Sequence, residues 1–384
     1  MRASIAHATA VASLGVLPSF LTGTLVIQLR ADLGIDAADI GWATASLYLT
    51  AAILAPIGAR IARRVGTNRA LLLAPLLSLT SFLLGATAQS FAWLVVAMIV
   101  GGAANSIAQP VSNIRLAEYV RDGRLGLAFG LKQAAVPMAA LIAGMAVPSL
   151  AVTVGWRWVW VAGAAAALVT TGYGYLRRHA RPPVDRGTAG KPRGRNRLGR
   201  RTMLLVTSGG FLAATVGTSV GVFFVDSTVA IGVSAAAAGT LFAAFSAVAV
   251  CTRIFLGWYS DRHPGLNSYV LAACLVFIGV IGNLFFALHL GWTVVVGATL
   301  SYVLGWAWPG LLQWSVVRDN RTAIHAATGF FQAGSSLGAG VGPILFGAIV
   351  STLSFPIGWL SASGIGLVAG ILMLFGAWSA RRDP

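Results

Sequence analysis

The chain has 384 residues, 57% of them hydrophobic and 10% charged, with a formal charge of +17. A soluble protein carries roughly 25% charged residues, so this composition excludes a water-facing surface and calls for lipid as the outer solvent. Two cysteines, Cys251 and Cys274, and five scattered histidines exclude a disulfide framework and any metal centre of recognisable ligand spacing.

Apolar runs long enough to cross the hydrocarbon fall near 8–28, 41–61, 70–89, 92–116, 125–149 and 157–176. Six more fall near 203–225, 235–257, 268–289, 292–316, 323–350 and 357–379. Their continuity predicts helices, since a membrane barrel shows short alternating segments. Gly and Ala throughout suit close helix packing in lipid, and both cysteines fall inside runs, as small packing residues. The first run follows a single Arg2 and exceeds the apolar core of a removable signal, so a retained first helix is expected.

In chain order, the fourth run carries Asn105, Gln109 and Asn113 at i, i+4 and i+8, hence on one helix face. The fifth carries Lys132 and Gln133 in FGLKQAAVP. Between the sixth and seventh lies RRHARPPVDRGTAGKPRGRNRLGRR, Arg177 to Arg201, with ten basic residues against Asp185. It reads as a disordered linker that sets topology and attracts anionic lipid; no aromatic platform accompanies it, so nucleic acid is not an expected partner. Asp226 stands at the end of the seventh run, and Arg253 within the eighth, in CTRIFLGWYSDR. The tenth clusters Trp306, Trp308, Gln313 and Trp314, and the eleventh holds Gln332. Pro110, Pro137, Pro309 and Pro343 interrupt four runs and predict bends or hinges.

The basic residues are unevenly placed. With the N-terminus inside and the runs alternating, Arg60, Arg63, Arg64, Arg69, Arg115, Arg121, Arg124, Arg262, Arg318, Arg321, Arg381 and Arg382 fall on the cytoplasmic side, and only Arg30 and Arg157 outside. This bias predicts a multi-pass protein of the plasma (inner) membrane with both termini cytoplasmic. The two sets of six are related by a shift of 199: Gly58 with Gly257, Arg63 with Arg262, Gly66 with Gly265, Asn68 with Asn267, Pro110 with Pro309, Gly130 with Gly329 and Gln133 with Gln332. Six spans per repeat makes the repeats parallel, an architecture of secondary transporters with the solute site between the halves. The expected fold is all-α, twelve transmembrane helices in two parallel-repeat six-helix bundles. The expected units are 1–176, a basic cytoplasmic linker at 177–202, and 203–384.

GWYSDRHPGLN, Gly257 to Asn267, resembles the loop signature of the major facilitator superfamily. GARIARRVGTN, Gly58 to Asn68, is a degraded copy with Ala62 where the acid would stand. GWRWVW at Gly155 to Trp160 resembles the family's entry into its sixth helix, and GFFQAGSSLGAGVGPILFGAIV from Gly329 its Gly-rich eleventh. The resemblance covers essentially the whole chain and implies alternating access. It implies that the loop acid latches one conformation, a task left here to Asp261 with Arg262, Arg63 or a first-half helix end. GLKQAAVP and WPGLLQW look like bacterial carriers related to the cyanate-transporter group.

An ionisable side chain inside a span is expensive, which marks it as functional. Lys132 and Arg253 are the two clear cases, and their repeat partners are Phe331 and Leu54, so the charges break the repeat. An Arg eight residues before the loop acid resembles the substrate-binding Arg of nitrate/nitrite and monocarboxylate carriers; snorkelling to the headgroups is the competing role. A guanidinium presents a fork of donors to a planar anion. The expected substrate is therefore a small anion, a carboxylate before a cyanate- or nitrate-like ion. It would be held by Arg253, Lys132, Gln133, Asn105, Gln109, Asn113, Trp308, Gln313 and Gln332. Coupling stays open between a counter-anion and a proton, with Asp226 the candidate carboxylate. The alternatives are an exporter of neutral or hydrophobic drugs and, from another class, a membrane receptor. No catalytic constellation and no nucleotide-binding loop is present, so neither an enzyme nor a cofactor is expected, and a monomer is.

Overall fold

The computed structural model describes residues 2–119, 124–176, 198–263, 265–320 and 324–382, with the side chains at 2–5, 59, 63, 116–119, 125 and 324–326 outside the description. Most of the basic linker, 177–197, lies outside the described residues. The described chain is helical: α1 Arg2–Thr24, α2 Val26–Leu33, α3 Ala37–Val65, α4 Thr67–Ala86, α5 Phe91–Tyr119, α6 Leu125–Gln133, α7 Ala135–Ala146 and α8 Trp156–Leu176. The second set is α9 Arg200–Val229, α10 Ala235–Arg262, α11 Ser268–Ala287, α12 Gly291–Gly297, α13 Trp308–Asp319, α14 Ile324–Thr352 and α15 Phe355–Arg382. Among the described residues, eleven helices or continuous helix stacks are long and apolar enough to cross a membrane. A twelfth span is formed if Ala6–Thr24 and Val26–Leu33, bent by 68°, count as one.

The packing inverts the soluble pattern. Buried helix faces are largely Ala, Gly and Ser, and outward faces carry Leu83, Val169, Leu176, Ile281, Leu367 and Phe375. Lipid solvates the large side chains, while small ones let backbones meet inside. Cys251 and Cys274, expected to pack, are free and exposed on the outer surface. Apolar contact runs unbroken from Trp160 in the first half to Trp359 in the second.

At the end away from the termini the halves close tightly. Backbones touch where Gly23 meets Val222, Gly41 meets Pro343 and Gly347 meets Ala37. Arg30 on α2 forms an ion pair with Asp226 on α9, at 3.0 Å. Asp32 accepts from Arg157 at 2.6 Å and from the Trp156 indole at 3.1 Å, tying α2 to α8.

Two spans are broken where the site lies. The fifth divides into α6 and α7 around Ala134, because Pro137 has no amide for the Gln133 carbonyl four residues back. The tenth runs from α12 through a wide π-helical segment, Ala298–Gly305, then turns at Trp306 and Ala307 before Pro309 restarts the helix as α13.

Candidate functional site

Arg253, on α10, is 3% exposed. Its guanidinium donates from Nη1 to the Gln133 carbonyl and from Nη2 to the Trp306 carbonyl, both at 2.7 Å. Both acceptors stand at the helix breaks, where the chain's own amides do not reach. The guanidinium carbon lies 5.2 Å from the Trp306 ring, and Nε is buried without a partner. Lys132, next to Gln133, is 2% exposed and has no hydrogen-bond partner among the described residues. It carries the same charge as Arg253, whose guanidinium is bonded to the carbonyl of the next residue, Gln133.

No carboxylate balances these two cations among the described side chains. Asp226 is taken by Arg30, Asp32 by Arg157, and Asp319 by Arg318. Asp36 and Asp39 cap α3. Asp261 accepts the backbone amides of Gly126 and Leu127 at 2.7 and 2.8 Å.

The walls are aromatic. The Trp306 indole lies against Gly217 and Gly221 of α9, where a Cβ would collide with it, with Phe20 at 6.3 Å between ring centres. Tyr302 meets it edge-on at 5.7 Å and shares a 2.9 Å bond with Ser246. Tyr48 bonds Ser19 at 3.1 Å. The protons can be counted. Ser19 gives its own to the Val16 carbonyl at 2.7 Å, so Tyr48 is the donor to Ser19 and its proton is spent. Ser246 has no other partner among the described residues; if it donates to Tyr302, the phenol proton is free for a ligand. Both tyrosines escaped the sequence reading. The available signal was their place far from the ends of apolar runs, away from the interfacial belt where Tyr is usual.

The other expected residues fall into separate groups. Gln313 donates to Gln332 at 2.8 Å, and Gln332 to Ser336 at 3.3 Å, leaving Gln313 Oε1 buried and unpartnered. Trp308 is buried edge-on to Phe331 at 6.5 Å. Gln109 donates to Asn105 at 3.0 Å, while Asn113 Oδ1 is buried without a partner. No hydrogen bond among the described residues joins this α5 row to Lys132 or Arg253. Beside Arg253 a crevice of about 10 Å³ is lined by Gly126, Gly130, Gly257, Ser260 and Trp314; it has room for about one water.

The latch candidates separate as well. Asp261 reaches the N-terminus of α6, where exposed amides and the helix dipole favour an anion. Gly126 packs on Gly257, and Gly130 on the Arg253 backbone, which permits that reach. Arg262 turns away and stacks over Trp258 at 4.6 Å. The Arg63 side chain lies outside the described residues. Asp226, the coupling candidate, is engaged by two nitrogens of Arg30, at 3.3 and 3.0 Å, across the half-to-half boundary.

The sequence model of the Major Facilitator Superfamily matches residues 8–323. No curated protein matches the chain. Among solved structures, a bacterial homolog of the human lysosomal transporter Spinster, crystallised inward-facing and unoccupied, matches with a TM-score of 0.74. The match covers 100% of this chain and 98% of that one at 16% identity. At that identity the likeness is one of fold.

Proposed function

Because the chain belongs to the Major Facilitator Superfamily, and so is a transporter rather than an enzyme, we propose that it is an alternating-access secondary carrier of a small anion, an organic carboxylate above others. One observation carries the reading: Lys132 and Arg253 are both buried, Arg253 is bonded to the carbonyl of the residue after Lys132, and no carboxylate balances them among the described residues. A buried charge left unpaired is strongly unfavourable. An anionic solute supplies the missing charge and meets the free donors of Lys132 and of Arg253 Nε, joined by that of Tyr302 when Ser246 donates to it. Trp306 closes one side. Gln133, Asn105, Gln109, Asn113, Trp308, Gln313 and Gln332 belong to the path or its lining.

The remaining assignments follow from the same reading. The termini are cytoplasmic in the plasma membrane, and the carrier works as a monomer. Asp261 is the latch on the terminus-bearing side. Asp226 acts as the opposite latch with Arg30, which leaves a counter-anion as the coupling species. The units are 1–176 and 203–384, with the basic linker 177–202 between them.

The test is ligand-induced stabilisation of purified protein across a panel of small anions and neutral drugs. Hydrogen bonds to charged groups are worth roughly 1.5–3 kcal/mol, so Arg253→Ala is expected to weaken the best anion about ten- to a hundred-fold. Arg253→Lys keeps the charge, loses the fork and recovers part of the affinity for a planar carboxylate. Lys132→Ala weakens the same anion, non-additively with Arg253→Ala. Stabilisation by drugs alone, or an Arg253→Ala variant that binds anions like the parent, overturns the reading.

A further inference from the structure

We propose that this carrier is an obligatory exchanger: the empty protein is held shut by Arg253, and only an arriving anion releases it. The inference rests on the anion reading above and adds the mode of transport.

Two carbonyls at helix breaks, Gln133 in the first half and Trp306 in the second, take their donors from one guanidinium. An unpaired carbonyl in an apolar interior is costly. Arg253 therefore serves two masters: the guanidinium that ties the halves together is the one an anion needs. Nε has no partner and each Nη keeps a second N–H, so a carboxylate is taken in the fork by Nε and a neighbouring Nη. The anion then balances the charge of the guanidinium while it still serves its carbonyls. Two turns along the same helix, Asp261 holds the first turn of α6. The α6–α10 seam is thus closed by two charged groups, with glycine backbones in contact between them.

Opening the seam of an empty carrier takes the guanidinium from one of its two carbonyls, leaves its charge buried without a counter-charge, and deprives the Gln133 carbonyl of its donor. With an anion in place, the guanidinium keeps a partner of opposite charge while the halves part. The loaded carrier crosses between its two openings, and the empty one stays. Solute then leaves one side only as another molecule enters from the other.

Proteoliposomes separate the two modes. Vesicles loaded with radiolabelled lactate, malonate, nitrate or cyanate are diluted into buffer with or without the same anion. For the wild-type protein, efflux with external anion is expected to exceed net efflux by about tenfold or more, a tie worth one decade of population. Pro137→Ala restores an amide to the Gln133 carbonyl and relieves Arg253 of that acceptor. Its net efflux is expected to rise to within about threefold of exchange, while its probe-induced thermal shift stays near the parent's. Pro137→Ser supplies the same amide and serves if the alanine variant folds poorly. Equal net and exchange rates in the wild type, or an unchanged ratio in both Pro137 variants, overturns the lock alone. If no probe stabilises the wild type or is exchanged, the anion reading falls and the lock with it.

Discussion

At the scale of single residues, the site is a matter of proton and charge accounts. Lys132 and Arg253 are legible in the sequence because a full charge within a span demands a reason. Tyr302 is not, because a phenol is cheap to bury once its hydroxyl is bonded. Its importance appears only when the structure shows that Ser246 can occupy its oxygen and leave its proton free. Tyr302→Phe is expected to cost about 1 kcal/mol of anion binding, the net worth of one hydrogen bond, with little change in melting temperature. Calorimetric titration of the best anion into both proteins measures it; unchanged affinity means that the phenol only packs against Trp306. Asp226 shows the opposite limit of sequence reading. It stands out as a rare acid near a span end, yet its partner Arg30 lies 196 residues away, and no periodicity joins them.

Among elements, the spans themselves were legible, since each needs about 20 apolar residues and these run without alternation. The bend at the end of α1, 68° into α2, was not, because Leu25 stands in a continuous apolar run with no proline at the joint. Pro137 and Pro309 do mark the broken spans, but which carbonyls they free, and what takes them, needs the third dimension. The seam of α6 and α10 invites a direct test. An asparagine at 261 keeps one acceptor, turns an amide group toward the second backbone N–H and loses the charge at the helix end. Asp261→Asn is therefore expected to weaken the seam by about 1–2 kcal/mol. Ser260 is buried 1% exposed beside Gly126. With Cys251 and Cys274 replaced, maleimide labelling of Ser260→Cys is expected to run about tenfold faster when Asp261→Asn is added. An unchanged labelling rate shows a seam that Asp261 does not hold.

For the molecule as a whole, the shift of 199 and the bias of arginine were both legible because repeats and loop charges are properties of the chain rather than of packing. The bias makes a topological prediction. A reporter fused after Pro384 is expected to be cytoplasmic, and a cysteine placed at Asp36 is expected to react with an impermeant reagent from outside; reversed labelling overturns the assignment of sides. The two ends of the bundle are fastened by different chemistry. At one, Arg30, 43% exposed, meets the buried Asp226, a full charge on each side; at the other, a single full charge, Asp261, is bound to neutral backbone amides. Mobile ions screen a pair of full charges that solvent reaches within about 10 Å at 0.1 M salt, and act less on a charge held by neutral dipoles. The two fastenings therefore answer unequally to salinity: a briny medium loosens the end at Arg30 and spares the other, so the balance between the carrier's two openings moves with the ionic strength around it.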